Sequence, residues 1–292
     1  MNRYLLAVIL LMLGGMARSA PLYTIKLNRP DVAGRVMGGQ VTFNRQVFAT
    51  VNGQKVQVPE TPYLSATAKY TTTVESVTPH GNFARETIKF DSLMYTTDPG
   101  TEQKAAKCSG LTLERDVLNH DSITATDGMA LDPAEVTIIR DMFSLAHDDH
   151  PPLGDLHYGH VKPVHMGESW DGNNAALALM LTSIMHRTVD ASKVSSWVKL
   201  NQVVTTAGIP CLDISTHTDV ARTKGNLRAK TRAEVDVTVS VEDRNLYPLD
   251  PNLPSLDTEF TMTMKMYRTA ADGVREVDMQ EVRTDSPVVI YK

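Results

Sequence analysis

The sequence predicts a mainly β (α+β) fold, in which long, curled antiparallel strands form two halves of a half-barrel or sandwich-like sheet. Three observations support this prediction. Residues 227–242 alternate between apolar and polar side chains, as a half-buried strand does. Turn signals such as Asn52-Gly53 separate further alternating segments. A segment beginning at Asp132 has helical spacing instead, so we expect one well-marked helix and one possible second helix.

Composition narrows the class of protein. The chain has 292 residues, with 34 acidic and 29 basic side chains and a formal charge of -5. Because no basic block stands out, we expect neither nucleic acid nor an anionic membrane surface as a partner. With 42% hydrophobic and 22% charged residues, the chain is typical of a globular protein with a sizeable core.

The first residues have the features of a signal peptide. Arg3 precedes an apolar run over residues 5–16, and Ala17 and Ser19 provide small side chains before the expected cleavage. That run is too short to span a bilayer, and no later stretch reaches the roughly 20 apolar residues that a transmembrane helix needs. We therefore expect a secreted or periplasmic protein whose mature chain has no transmembrane segment.

Residues 1–19 are thus predicted to be a signal peptide, and residues 20–292 are expected to form a single exported domain. Its parts are a first β half over residues 20–131, a helix over 132–147, a His- and Pro-rich connector over 148–169 and a second β half over 170–292. No internal repeat is demonstrated, because the two halves are similar in pattern and not in sequence.

The first β half contains two predicted hairpins. Residues 47–58 fold about Asn52-Gly53, a dipeptide typical of a type I′ turn, which places Ala49 opposite Val56. Residues 70–77 and 83–94 flank a second turn at residues 79–82.

The helix that follows is marked at its start. Asp132 is a suitable N-cap, Pro133 suits the first helical position, and Glu135 is placed for a capping box. Ile139 and Phe143 then share an apolar stripe, and the helix should end near residue 147. Residues 175–185 fit either a helix or a strand; their Ala, Leu and Met content favours a helix.

The second β half contains the longest strands. Residues 194–204 and 209–216 flank a turn at Ala207-Gly208, and residues 227–242 form one long strand. Residues 258–268 form another, and the Asp272-Gly273 turn leads to a partner over residues 274–283.

Residues 161–170 read Val-Lys-Pro-Val-His-Met-Gly-Glu-Ser-Trp. This segment resembles one in exported bacterial β-rich domains of unknown function, where a Pro-Val pair precedes a Gly-acidic-Ser/Thr-Trp motif. The order of hairpin, helix, motif and further strands is also similar. The resemblance implies export and a β-rich fold, and it implies no chemistry.

Cys108 and Cys211 are the two cysteines of the chain. In an exported protein this number favours a disulfide, which would link the two halves of the chain. The alternative is two buried free thiols at separate sites.

A hydrophobic ligand is the first binding hypothesis. Met262, Met264 and Met266 share one face of a predicted strand with Phe260, and flexible thioethers adapt to apolar ligands of variable shape. Together with Ile139 and Phe143 of the helix, they are expected to contact such a ligand between sheet and helix. The same methionines also suit Cu(I), although a simple core strand explains them too.

A metal site in the connector is the alternative hypothesis. Imidazole is a good ligand for zinc and copper, and five histidines fall close together: His147, His150, His157, His160 and His165. The competing interpretation is a solvated polar loop, because no standard ligand spacing is present. We expect no other cofactor.

Enzyme motifs are not found. Gly167-Glu168-Ser169-Trp170-Asp171 begins like a nucleophile elbow, but Asp171 stands where that turn needs its second glycine. The sequence therefore predicts a non-catalytic binding or structural module of the cell envelope, whose partner is a hydrophobic small molecule or an envelope protein. The alternative is a zinc- or copper-binding protein.

Overall fold

A computed structural model describes residues 20–51, 54–57, 63–118, 122–143, 154–185, 188–225, 235–256, 258–270 and 273–290. The expected signal peptide, residues 1–19, lies outside these ranges. Within them, no helix combines the length and apolar character needed to cross a membrane.

Strands dominate the described residues. In chain order they are β1 Leu22–Tyr23, β2 Val36–Val51, β3 Gln54–Gln57, β4 Leu64–Val77, β5 Phe83–Thr96, β6 Lys104–Ala105, β7 Thr112–Asp116, β8 Ser122–Ala125, β9 Val164–His165, β10 Ser169–Asp171, β11 Val194–Thr206, β12 Ile209–Gly225, β13 Val235–Pro248, β14 Thr258–Ala270 and β15 Gly273–Ile290. The helices are α1 Pro133–Phe143, α2 Gly154–Tyr158 and α3 Asn174–Met185, with a 3₁₀ turn at Ala191–Lys193.

One antiparallel sheet of thirteen strands contains nearly all of them. Its neighbour order is β10-β11-β12-β13-β14-β15-β2-β4-β5-β7-β8, with β3 added beside β2 and β6 beside β5, while β1 and β9 pair separately. The strands of the first half follow in chain order from β2, in the middle of the sheet, to β8 at one edge. Those of the second half follow from β10, at the other edge, to β15 beside β2. The pairing of β15 with β2, from Glu276↔Thr50 to Ile290↔Val36, joins the halves. The mainly β fold with long antiparallel strands in two halves is confirmed.

The predicted hairpins are confirmed where the structure describes them. Ala49 lies opposite Val56, β4 pairs with β5, β11 with β12, and β14 with β15. Most of these strands extend beyond the predicted bounds, since open sheet faces tolerate polar ends. The strand predicted over residues 227–242 is described from Val235 and continues to Pro248, and its earlier part lies outside the described residues.

The helix beginning at Pro133 is confirmed, with the Asp132 side chain accepting the N–H of Ala134 at 3.0 Å. The capping box predicted for Glu135 is wrong. Its two carboxylate oxygens accept the backbone N–H groups of Lys107 and Cys108 instead, at 2.8 and 3.1 Å, so this buried side chain ties the helix to a loop. Helix α1 is described to Phe143, and its predicted end near residue 147 lies outside the described residues.

Residues 175–185 are helical, as their composition favours. The side chain of Asn173 accepts the N–H of Ala176 at 3.1 Å at the start of α3. Leu177, Ala178 and Leu181 are buried, which gives the helix one face directed at the sheet.

Both long helices pack on the same face of the sheet. Phe43 on β2 belongs to the cluster under α1, and cross-strand pairing places it in line with Arg283 on β15 and Phe260 on β14. Residues directly opposite each other share a face, and Met264, four positions from Phe260, belongs to the cluster under α3. We call the other side of the sheet the open face.

Candidate ligand-binding surface

The six residues predicted to contact a hydrophobic ligand do not come together. Ile139 and Phe143 pack in the cluster under α1, against β2, β4, β5 and β7. Met262, Met264 and Met266 pack in the cluster under α3, where Leu177 and Leu181 cover them. Phe260 shares their face but is assigned to neither cluster. The two groups are separate because α1 lies over the first half of the sheet, whereas the methionines belong to the second.

The expected disulfide between Cys108 and Cys211 is not formed, and both cysteines are buried free thiols. Cys108 lies in the cluster under α1, next to β5 and β7, whereas Cys211 lies on β12. Five strands separate β12 from β5 in the sheet, at about 4.8 Å for each neighbouring pair, and a disulfide needs Cα atoms within roughly 7 Å. Burial, joined by the charge and hydrogen bond of Glu135, raises the pKa of the Cys108 thiol to about 12.

The connector histidines take separate roles. His157 is buried on α2, and burial lowers its pKa. His160 places Nδ1 2.7 Å from the carbonyl oxygen of Lys162 and lies beside the ring of Trp170. The Nδ1 atom of His165 is 3.3 Å from the carbonyl oxygen of Pro21. Within the described ranges no three His, Cys, Asp or Glu side chains are grouped to hold a metal, and His147 and His150 lie outside those ranges.

The open face of the second half presents a regular array of polar side chains around one tryptophan. Cross-strand pairing of β11, β12, β13 and β14 aligns its members in three rows, and we call this array the Trp197 surface. The rows are Ser195–Asp219–Ser240–Thr263, Trp197–His217–Glu242–Thr261 and Lys199–Ser215–Arg244–Glu259.

Trp197 is exposed, at 42% of its full accessible area, and His217 stacks against it. Their ring centroids are 5.5 Å apart and their planes differ by 19°. The Nε2 atom of His217 is 2.7 Å from a carboxylate oxygen of Asp219, and Nδ1 is 3.6 Å from one of Glu242. Since an ionised carboxylate only accepts, Nε2 carries the proton that points at Asp219. The indole is therefore held by its neighbour on the adjacent strand, and part of its surface stays accessible.

Asp219 is an ionised acceptor at one edge of this stack. Burial raises its pKa, but hydrogen bonds from His217 and Ser240 lower it, and the net shift is downward. Its side chain stays half exposed, so the carboxylate keeps room for further hydrogen-bond donors.

A depression of about 430 Å³ lies beside Asp219 on the open face. Hydroxyl, ammonium and carboxylate groups surround it together with atoms of Val194, Val220, Ala221 and Val239. Its lining includes Ser195, Asp219, Thr238, Ser240, Thr263 and Lys265. A register shift between Val220 and Thr223 disturbs the ladder of β12 with β13 at this point, which is a common cause of local concavity in a sheet. The Trp197 surface thus joins an exposed aromatic ring to a hollow of ligand size that has both polar and aliphatic walls.

A β-bulge fixes the position of Trp197 relative to His217. The register of β11 against β12 shifts between Leu200 and Gln202. The extra residue, Asn201, donates its side-chain amide to Asp213 at 3.2 Å and to Ser215 at 2.8 Å.

Asp213 anchors this bulge from a fully buried position. It accepts two hydrogen bonds of 2.9 Å from Arg244, in the parallel fork typical of a guanidinium, and its side chain is 1% exposed. The hydrogen bonds from Arg244 lower the pKa of Asp213. The row Lys199–Ser215–Arg244–Glu259 is therefore held in place by a buried carboxylate, through Arg244.

No sequence motif marks Trp197, His217 or Asp219. Strand alternation held the necessary signal, because Val194, Val198 and Leu200 on the core face place Trp197 on the opposite, polar face. Tryptophan is enriched at contact surfaces because its ring is apolar and its N–H is a donor, so one on the polar face of a strand is a candidate contact residue.

No known protein family and no curated protein matches this chain. Among solved structures, a variant of the porin from Rh. blastica is similar at 9% identity, covering 86% of this chain and 99% of that one, with a TM-score of 0.18. A TM-score this low carries no argument about fold or function.

Proposed function

We propose that this chain is a non-catalytic ligand-binding module of the cell envelope and that it binds through the Trp197 surface. One observation carries the proposal: a tryptophan that is exposed yet stacked on His217 stands beside a hollow lined by both polar and aliphatic groups, on the face that α1 and α3 leave open. Rigid strands preorganise such a surface, so little side-chain freedom is lost when a ligand binds.

The helix-covered face offers less support for a binding site. Leu177 of α3 is fully buried and Met264 nearly so, which means that the chain's own side chains occupy the space over the methionines. A hydrophobic ligand at this place would have to displace α3. The open face requires no such rearrangement, so it is the stronger candidate.

Export to the envelope rests on the signal peptide predicted for residues 1–19 and on the resemblance at residues 161–170. The non-catalytic part of the proposal rests on the absence of a recognised nucleophile or nucleotide motif in the sequence. Zinc or copper bound by the connector histidines remains the alternative hypothesis.

Protection of Trp197 from a soluble quencher tests the proposal. The chain has two tryptophans, so the Trp170→Phe variant reports on Trp197 alone. We expect acrylamide to quench Trp197 readily in the free protein and less readily when one class of envelope compound is added: neutral oligosaccharides, phospholipid micelles or acidic peptides. Zinc and copper are added separately. If no class protects Trp197, the Trp197 surface is not a binding site.

A further inference from the structure

The composition of the Trp197 surface says which class of ligand it suits. Hydroxyl side chains are its commonest members: Ser195, Ser215, Ser240, Thr261 and Thr263. Its three carboxylates, Asp219, Glu242 and Glu259, are nearly balanced by Lys199 and Arg244 in the rows and by Lys193 and Lys265 in the hollow, so no field of one sign selects a charged ligand. The Arg244 guanidinium already donates to the buried Asp213, so part of this positive charge is neutralised within the chain.

An apolar ligand is also disfavoured. Trp197 is the one large apolar side chain among the twelve positions of the three rows. A lipid tail packed on it would remove water from the polar side chains around it. Burial of hydroxyls and carboxylates without hydrogen-bond partners costs free energy, so a ligand must supply polar groups around an apolar patch.

A sugar ring has this combination of properties. One face of a pyranose carries C–H groups, which pack on the negative face of an indole, while its rim carries hydroxyls that donate and accept. Neighbouring strands are about 4.8 Å apart and alternate residues of a strand about 6.8 Å apart, so polar side chains on several sides of Trp197 lie within reach of one stacked ring.

We infer that the Trp197 surface binds an uncharged glycan, with one sugar ring stacked on Trp197 and a neighbouring ring in the hollow. Asp219 accepts a hydrogen bond from a ring hydroxyl, as its ionised and half-exposed carboxylate permits. Ser240 and Thr263 face the same hollow and complete the polar contacts. This inference rests on the proposed function, because it names the ligand class for the same surface.

Calorimetric titration with two soluble glycans, chitohexaose and cellohexaose, tests the inference on the mature chain. We expect saturable binding of at least one of them, a loss of affinity of tenfold or more in Trp197→Ala, and about tenfold in Asp219→Asn. Trp197→Phe keeps an aromatic face and should retain part of the affinity. Thr67→Ala, on the open face of the first half, is the matched control and should bind normally.

The other outcomes would contradict the site, the glycan assignment or the binding surface itself. Binding that Trp197→Ala does not weaken removes the site. If neither glycan binds, but micelles or peptides protect Trp197 from acrylamide, the glycan assignment is wrong and the binding surface stands. If nothing binds or protects, both proposals fail. Where a glycan does bind, sedimentation with intact peptidoglycan distinguishes a cell-wall glycan from a free oligosaccharide as the natural source.

Discussion

Trp197 and His217 lie directly opposite each other on β11 and β12, with ring centroids 5.5 Å apart and nearly parallel planes. Stacked cross-strand rings stabilise a sheet and at the same time fix the direction of the exposed indole. A single pair thus supports the sheet and presents the ring that we propose to contact the ligand.

This pair should be measurable by a double-mutant cycle. We expect His217→Ala to lower the free energy of unfolding by about 0.5–1 kcal/mol, with a coupling of similar size between positions 197 and 217. Urea denaturation of the wild type, Trp197→Ala, His217→Ala and the double variant gives the coupling. Additive single effects would show that the rings stack without mutual stabilisation.

Register explains why the sequence predicts the strands here but not the pair. Thr206 lies opposite Ile209 at the turn, and counting back without interruption would place Trp197 opposite Thr218. The bulge at Asn201 shifts the pairing by one residue, so His217 becomes the partner. Alternation along a strand reveals which face a residue occupies, whereas a bulge depends on contacts with distant side chains, such as that of Asp213.

The position of α1 shows the same limit on a larger scale. Apolar spacing and the Asp132 cap predict that the helix exists and where it begins. They do not reveal that β15 pairs with β2, which places α1 over the first half of the sheet and leaves the methionines of β14 to α3. Pairing between the first and last long strands is set by the whole sheet, and no local pattern encodes it.

Thiol titration should distinguish the free cysteines of the structure from the disulfide expected of an exported protein. Burial and the nearby Glu135 raise the pKa of Cys108, so the reactive thiolate forms only near pH 12 in the folded chain. We expect neither cysteine to react rapidly with Ellman's reagent at pH 8. In denaturant without reductant, both should react. An absence of titratable thiol after denaturation would restore the Cys108–Cys211 bond.

Asp213 should make stability depend on acid pH. Its pKa is lowered in the folded chain, so its contribution is present above the unfolded value of about 3.9 and is lost as pH falls through the folded value. At pH 7 we expect Asp213→Asn to reduce the free energy of unfolding by about 2–3 kcal/mol, because Arg244 and Asn201 lose a charged acceptor.

The same substitution should matter less in acid. Urea denaturation at pH 7, 5 and 3 should show the difference between wild type and Asp213→Asn shrinking below pH 4, where the Asp213 carboxyl of the unfolded wild type takes up a proton while the folded carboxyl, with its lowered pKa, stays ionised to lower pH. Asp236→Asn, in an exposed pair with Arg222, is the matched control and should change stability by less than about 1 kcal/mol. A difference that is constant with pH would mean that Asp213 acts through shape and not through charge.

The pair of Arg115 and Glu86 predicts a larger effect at the other end of the sheet. Both side chains are buried, at 3% and 8% exposure, and the Arg115 guanidinium donates to Glu86 at 3.2 Å. Glu86→Ala should cost about 3–5 kcal/mol, because the guanidinium remains in the core without that carboxylate. The double variant Glu86→Leu/Arg115→Met should be more stable than Glu86→Ala in thermal unfolding. If it is less stable, the ion pair contributes through attraction that apolar packing does not replace.

Substitution of two leucines of α3 distinguishes between a fully packed interior and a ligand cavity beneath the helix. Leu177 is fully buried against the β13 and β14 side chains, whereas Leu179, two positions later, is 73% exposed. If α3 fills this space itself, Leu177→Ala removes packed atoms and should cost about 2–5 kcal/mol, while Leu179→Ala should change stability by less than about 0.5 kcal/mol. Urea denaturation of both variants, with and without a detergent extraction that strips bound lipid, makes the comparison. A small cost for Leu177→Ala, together with a loss of stability on extraction, would contradict the packing and return the hydrophobic ligand to the face lined by Met262, Met264 and Met266.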